Sequence, residues 1–462
     1  DLNSREVYDG KPLSEWLTGA NIHDDYTLEN HNRVHPDYMH TFDLCRYQRL
    51  TYEWADAPAP RALDFNGPQI HASLEKLSFP DGGYVYPNGQ DWNLRRNLHW
   101  TRTHVIQAVL SNDPEAARIA RNCIECTERM AARNPDGGLN TPEEYFFPST
   151  QHYTLEGLVN AWLLMAAHGE GPEPVTEEQL LENTAGLHLF NAGSFGVLRT
   201  SRAVASFSWG RQVMGMVMPL ERDLLLAPNE RSLIGVVSVK GLKHEEPRVR
   251  EAVVSPLKNA LGVSGIVDRA AGAIEQRFAF LALADGRTLY ADQLRQTSAT
   301  KGLKLELGLL SVLNDANWVY SDGTRDVFHE GNRETFAATG ETTVTPQRLK
   351  SRWYNLDDKL GILCLLTTGR QAYVPNHKPE RGRIEQPFFL NSVGSADSRP
   401  GAILAESVLV FYPGQAHGDT KALAGKVKLR AQRAKGTFEA DLEDDTAVKL
   451  DLRNLSIQIG TP

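Results

Sequence analysis

The spacing of apolar residues changes near Gly193, and that change constrains the fold more than any other feature of the chain. Upstream, DPEAARIARNCIECTERMAAR (113–133) and TLEGLVNAWLLMAAHG (154–169) repeat Ala, Leu, Ile and Met at helical spacing. Asp113 before Pro114 is a helix start and Gly169 a stop. MHTFDLCRYQRLTYEWA (39–55) and NGPQIHASLEKLS (66–78) read as further helices. Downstream the pattern turns to short alternating or β-branched runs, among them FGVLRT, AVASFSWG, SLIGVVSV, RFAFLALA, LGILCLLT, AILAESVLVFY and TAVKLDLRNLSIQIG. Turn segments such as ADGRT and SDGTR separate several of them. Many short strands with turn signals predict an antiparallel sandwich. The expected fold is therefore α+β, with helices in 1–190 and a β-sandwich in 191–462. Two domains also suit 462 residues, since single cores rarely grow past about 250–300. The acidic GEGPEPVTEEQLLENTAG (169–186) reads as the linker region.

Within the helical half, Pro-Asp-Gly-Gly occurs twice, at 80–83 and 135–138. Each copy follows a helix and precedes a loop and another helix, so the repeat predicts a unit of two helices plus connections, as in an α/α toroid. Only the first copy is followed at once by tyrosines, Tyr84 and Tyr86.

Composition narrows the function. A net charge of −9 argues against nucleic acid as the main partner, while leaving room for a local basic cleft. No apolar run approaches the roughly 18 residues of a membrane span. The chain opens at Asp1 without Met or signal peptide, as expected of a processed or truncated form. Cys123 and Cys126 form a CxxC inside a helix with no second ligand pair, so the four cysteines read as plain thiols and no cofactor is expected.

Two polar clusters stand out. HDDYTLENHNRVHPDYMHTFD (23–43) places Asn30, His31 and His35 just before a helix that Pro36 begins, so ENHNRV reads as a loop facing a polar ligand. His31 and His35 with Asp24, Asp25 and Glu29 could bind a divalent metal, but the pair straddles the Pro boundary and lacks the HExxH form, so the spacing does not support one. The second cluster, PDGGYVYPNGQDWNLRRNLHW (80–100), sets Tyr84 and Tyr86 on one face of an extended segment, followed by Asn88, Gln90, Trp92, Arg95 and Arg96. Rings that stack on sugars, amides that read hydroxyls and guanidinium groups that pair with carboxylates suit a saccharide cleft.

These clusters resemble the heparinase II/III-like polysaccharide lyases and related uronate lyases. In that group a loop of N-N-H-G type supplies an Asn or His, and a tyrosine follows near a PDG turn. Here Tyr84 lies 54 residues after Asn30, and Tyr86 lies 55 after His31. RTSRAVASFSWGRQVMGMVMP (199–219) and RWYNLDDKLGIL (352–363) resemble strands of the group's sandwich. The resemblance implies an α/α toroid, here short and expected to be incomplete at its N-terminus, followed by a β-sandwich. It also implies β-elimination on a uronic-acid polysaccharide or oligosaccharide, and from that substrate class a secreted or periplasmic location.

Elimination must neutralise the uronate carboxylate, remove the C5 proton and protonate the leaving oxygen at C4. Asn30 and His31 suit the first task, with Arg95 and Arg96 as further candidates, and Tyr86, then Tyr84, the others. His152, opening a helix, and His244, expected from the sandwich, are further candidates; Arg199 and Arg211 are candidate carboxylate binders. A glycoside hydrolase would instead need two carboxylic acids about 5–9.5 Å apart, for which Asp91, Glu143, Glu144 and Glu156 are available. A non-catalytic carbohydrate-binding protein is the third reading.

Overall fold

The computed structural model describes residues 4–16, 22–90, 100–139, 149–243, 245–316, 318–340, 344–375, 385–396 and 399–460. Eight α-helices of the described residues lie in the first part, α1 (Pro36–Met39), α2 (Thr41–Tyr47), α3 (Arg49–Trp54), α4 (Gly67–Glu75), α5 (Thr101–Ser111), α6 (Pro114–Arg133), α7 (Ser149–His168) and α8 (Glu177–Asn183), and a ninth, α9 (His417–Lys426), lies among the later strands. The expected 39–55 helix is thus divided at His40 and Gln48, which keep right-handed backbone angles between the pieces.

Local chemistry explains the ends of these helices. The Asp113 carboxylate accepts from the Ala116 amide at 3.0 Å, capping α6 one residue ahead of Pro114. Gly169 takes φ +90° and its amide donates to the Met165 carbonyl at 2.8 Å, closing α7. The segment read as a linker contains α8. Thr176 and Gln179 form a reciprocal capping box there, and Leu180 is buried, so a cap and one anchor outweigh the acidic composition.

Both Pro-Asp-Gly-Gly copies make the same turn. Asp81 accepts from the Gly83 amide at 3.0 Å, and Asp136 from that of Gly138 at 2.9 Å. Gly82 and Gly137 both take positive φ. Their surroundings differ. A Cβ on Gly82 would sit 2.2 Å from the Cys123 sulfur on α6, whereas nothing lies within 4 Å of one on Gly137. Burial raises the Asp81 pKa from its ordinary 3.8 to about 6. A carboxyl whose folded-state pKa is raised stabilises the fold while protonated, and that contribution is lost as pH rises from about 4 through about 6. Wild type is therefore expected to lose stability relative to Asp81→Asn across that window, and parallel melting temperatures of the two proteins would refute the assignment.

From Gly186 onward the structure is mainly antiparallel sheet. Strands 186–190, 195–199, 203–209 and 213–219 form a four-stranded meander. A nine-stranded sheet runs in the order 248–255, 261–269, 274–282, 288–296, 403–413, 360–367, 353–356, 324–329, 332–337. A five-stranded sheet centres on 303–313 and 385–396, and strands 428–432, 437–441, 447–451 and 456–460 close the chain. One core joins the meander to the larger sheets. Phe207 stacks on Phe278 at 4.9 Å, an arrangement worth about 0.5–1.5 kcal/mol beyond its buried area. Among the described residues, no helix is long and apolar enough to cross a membrane.

Candidate active site

Residues 29–34 form a hairpin rather than an open loop: Glu29–Asn30 pairs with Arg33–Val34. His31 and Asn32 occupy the tip at φ +52° and +61°, as a type I′ turn requires, and both are exposed. The Asn30 side chain accepts the His31 amide at 2.9 Å, which stabilises the tight turn.

The hairpin sits where the helices meet the meander. The Val34 amide donates to Asn88 Oδ1 at 3.1 Å, and Asn88 Nδ2 donates to Ser208 Oγ at 2.6 Å. Arg33 pairs with Glu230 at 2.6 Å. Arg211, 63% exposed, pairs with Glu29 and donates to Asn32 Oδ1 at 2.9 Å. Two of the three carboxylates near His31 and His35 are engaged: Asp25 accepts from Thr27 and from the Ala192 amide, and Glu29 also faces His23 at 3.4 Å.

Behind the hairpin lies a buried network around Asp37. Its Oδ1 accepts from the Tyr86 hydroxyl at 2.8 Å and from Trp100 Nε1 at 3.2 Å, and His35 Nδ1 lies 3.5 Å from its Oδ2. The His35 ring packs edge-on against Tyr86 at 5.6 Å and Tyr38 at 5.2 Å, and Tyr38 in turn meets His31 at 5.8 Å. Tyr38 is half-buried.

Several expectations change here. Tyr84 and Tyr86 do share a segment beside the turn, but their exposures are 2% and 0%, so neither phenol meets solvent. Burial, then the charge of Asp37, pushes the Tyr84 pKa well above its ordinary value. His35 is fully buried, and Asn88 is occupied as a rivet between hairpin and meander. Gln90 is buried too, and its side-chain amide has no hydrogen-bond partner among the described residues. Arg199 is 3% exposed and donates to the Lys76 carbonyl and Thr184 Oγ1, so it ties helix ends to the sheet; burial lowers its pKa to about 10. His152 is exposed on α7 with its ring edge on Tyr153, and Glu156 is exposed on the same helix. Trp92, Arg95, Arg96, His244, Asp91, Glu143 and Glu144 lie outside the described residues. The structure brings together Asn30, His31 and Arg211 and adds Tyr38 and Asp37. Those two stood in the polar cluster of the sequence, but only their packing sets them apart from its other members.

Tyr86→Phe is expected to destabilise the fold by about 1.5–3 kcal/mol, because it takes a donor from a buried carboxylate. Urea unfolding checks this, and a midpoint equal to wild type would contradict it. Among the described residues, His71, Glu75 and Asp113 form a group able to reach a metal ion. His71 Nδ1 faces Glu75 at 3.3 Å and its Nε2 faces His104 at 3.2 Å, while Gln107 donates to Asp113, so the three are also accounted for by one another and their neighbours.

No protein-family model matches the sequence, and no curated protein matches it. Solved structures do resemble it. A xanthan lyase from Paenibacillus has a TM-score of 0.53 at 7% identity, covering 95% of this chain and 44% of that one. A variant chondroitin AC lyase from Streptomyces coelicolor A3 has 0.50 at 13%, covering 93% and 60%. A heparan sulfate lyase from Pedobacter heparinus has 0.45 at 10%, covering 96% and 60%. This chain thus spans 44% and 60% of the length of the first two. At such identities the likeness is one of fold alone, and the chain shares its fold with the xanthan lyase and the chondroitin AC lyase.

Proposed function

We propose that the protein is a polysaccharide lyase that cleaves a uronic-acid-containing polysaccharide or oligosaccharide by β-elimination. Its helices are read as an α/α toroid-type domain and its sheets as the following β-sandwich. The observation that carries this reading is the exposed hairpin tip, with Arg211 and the half-buried Tyr38 beside it, at the helix–sheet junction of a lyase-like fold.

The C5 proton of a uronate is weakly acidic while the adjacent carboxylate keeps its charge. His31, Asn32 and Arg211 supply donors and positive charge for that carboxylate, and Asn30 holds the turn that presents them. The base is assigned to Tyr38, because Tyr86 and Tyr84 are sealed from solvent. In the phenolate form Tyr38 takes the C5 proton, the C5–H electrons form the C4–C5 double bond, and the C4–O bond breaks. The phenol then returns the proton to the leaving oxygen, so one group serves as base and acid. The substrate class suggests a secreted or periplasmic location.

Incubation with a panel of uronate polysaccharides, followed by ultraviolet absorbance, tests the proposal. Growth of the conjugated-double-bond band supports elimination. New reducing ends without that band would replace it with hydrolysis.

A further inference from the structure

A second charged site lies away from the hairpin and shares no residue with it. Strands 274–282 and 288–296 of the nine-stranded sheet meet the C-terminal sheet around a cavity of about 310 Å³. Arg277, Arg295, Lys435 and Arg453 line it, with Glu275 as its one carboxylate. Glu275 is already matched, by Arg277 Nε at 2.7 Å and by Arg250 at 2.7 Å from outside the cavity. Arg295, Lys435 and Arg453 have no carboxylate partner among the described residues.

The two sheet arginines are held in place. Arg277 donates to the Leu452 and Arg453 carbonyls at 3.3 and 3.1 Å. Arg295 donates to Gln293 Oε1 at 2.6 Å and to the Ala434 carbonyl at 3.3 Å. Lys435 and Arg453, both exposed, come from the two loops that these carbonyls belong to. Four cations thus converge on one cavity in a chain of net charge −9. Their mutual repulsion has no internal counter-charge beyond Glu275, and an oxyanion in the cavity would relieve it. Guanidinium forks suit the two oxygens of a carboxylate or sulfate.

We propose that this cavity binds the carboxylate or sulfate ester of an acidic saccharide, and so forms a second contact for the polymer away from the hairpin. The polymer as ligand rests on the lyase reading, whereas the oxyanion chemistry does not. The test is the double substitution Lys435→Ser with Arg453→Ser. Retardation of full-length protein in native gels containing polygalacturonate or heparin is compared with wild type. Melting in sodium sulfate is compared with sodium chloride at equal ionic strength.

The expected result is about tenfold weaker retardation, loss of the sulfate-specific stabilisation, and an unchanged melting temperature in chloride. Unchanged retardation with loss of the sulfate effect would overturn the polymer as ligand and assign the cavity to a small free oxyanion. No change in either readout would overturn the site. Absence of double-bond formation by wild type on every polymer would count against the lyase reading alone, because neither readout depends on turnover.

Discussion

Tyr38→Phe is expected to slow double-bond formation by roughly 10²–10⁴-fold, the usual worth of a positioned acid–base group. The substitution removes one hydroxyl and keeps the ring, so the edge contacts with His31 at 5.8 Å and His35 at 5.2 Å persist. Folding and substrate affinity should change little, and the loss should fall on kcat more than on KM. Tyr86→Phe provides the contrast, since that phenol is fully buried and donates to Asp37. Its expected signature is lost stability with turnover retained in the folded fraction. If Tyr38→Phe is fully active while Tyr86→Phe is folded and inactive, the base is Tyr86, and a conformational opening must expose it during the reaction. Single-turnover rates for the two variants on one uronate substrate separate these outcomes.

Arg269→Met should be the most damaging single change to the fold, costing about 3–5 kcal/mol, because it strands buried partners. The guanidinium is 0% exposed and grips Glu245 with both edges, at 2.7 and 2.8 Å. It also donates to the Ile234 and Gly235 carbonyls and to Gln276. Gln276 passes the network to Asp292 at 2.8 Å, and burial raises that carboxyl to a pKa of about 6. Removing the arginine leaves the Glu245 carboxyl, 7% exposed at its side chain, with the Ala270 amide at 3.3 Å as its one remaining donor among the described residues. Adding Glu245→Gln to Arg269→Met should recover part of the loss, since the stranded charge is then gone. Denaturant midpoints of the single and double variants check this. A single variant within about 1 kcal/mol of wild type would mean that the network contributes little net stability.

What the sequence determined by itself was local. The Asp113 cap on the turn that follows it, Gly169 at positive φ, both Asp-Gly-Gly turns and the strands at 195–199, 360–367 and 403–413 lie where the residues predict them. Each depends on hydrogen bonds or side-chain alternation within a few neighbouring residues, and that information is contiguous in the chain. The sequence pattern misled where a capping box and Leu180 made a helix at Glu177–Asn183 inside the acidic 169–186 stretch, and where SLIGVVSV (232–239) is extended only at Val236–Ser238.

The candidate site was legible as a list of residues but not as a surface. Tyr84 and Tyr86 have the chemistry for acid–base work, and nothing in PDGGYVYPNG tells that Asp37 and the core enclose them. Asn88 looked available to a ligand until the Val34 amide and Ser208, 120 residues later, used both ends of its side chain. Arg211 reaches Asn32 across 179 residues, whereas Arg199 on the same meander is turned into the protein. Whether a polar group faces solvent or a buried partner depends on which distant strand packs over it. That choice is made by the burial of the apolar core as a whole, so only the tertiary structure could decide it.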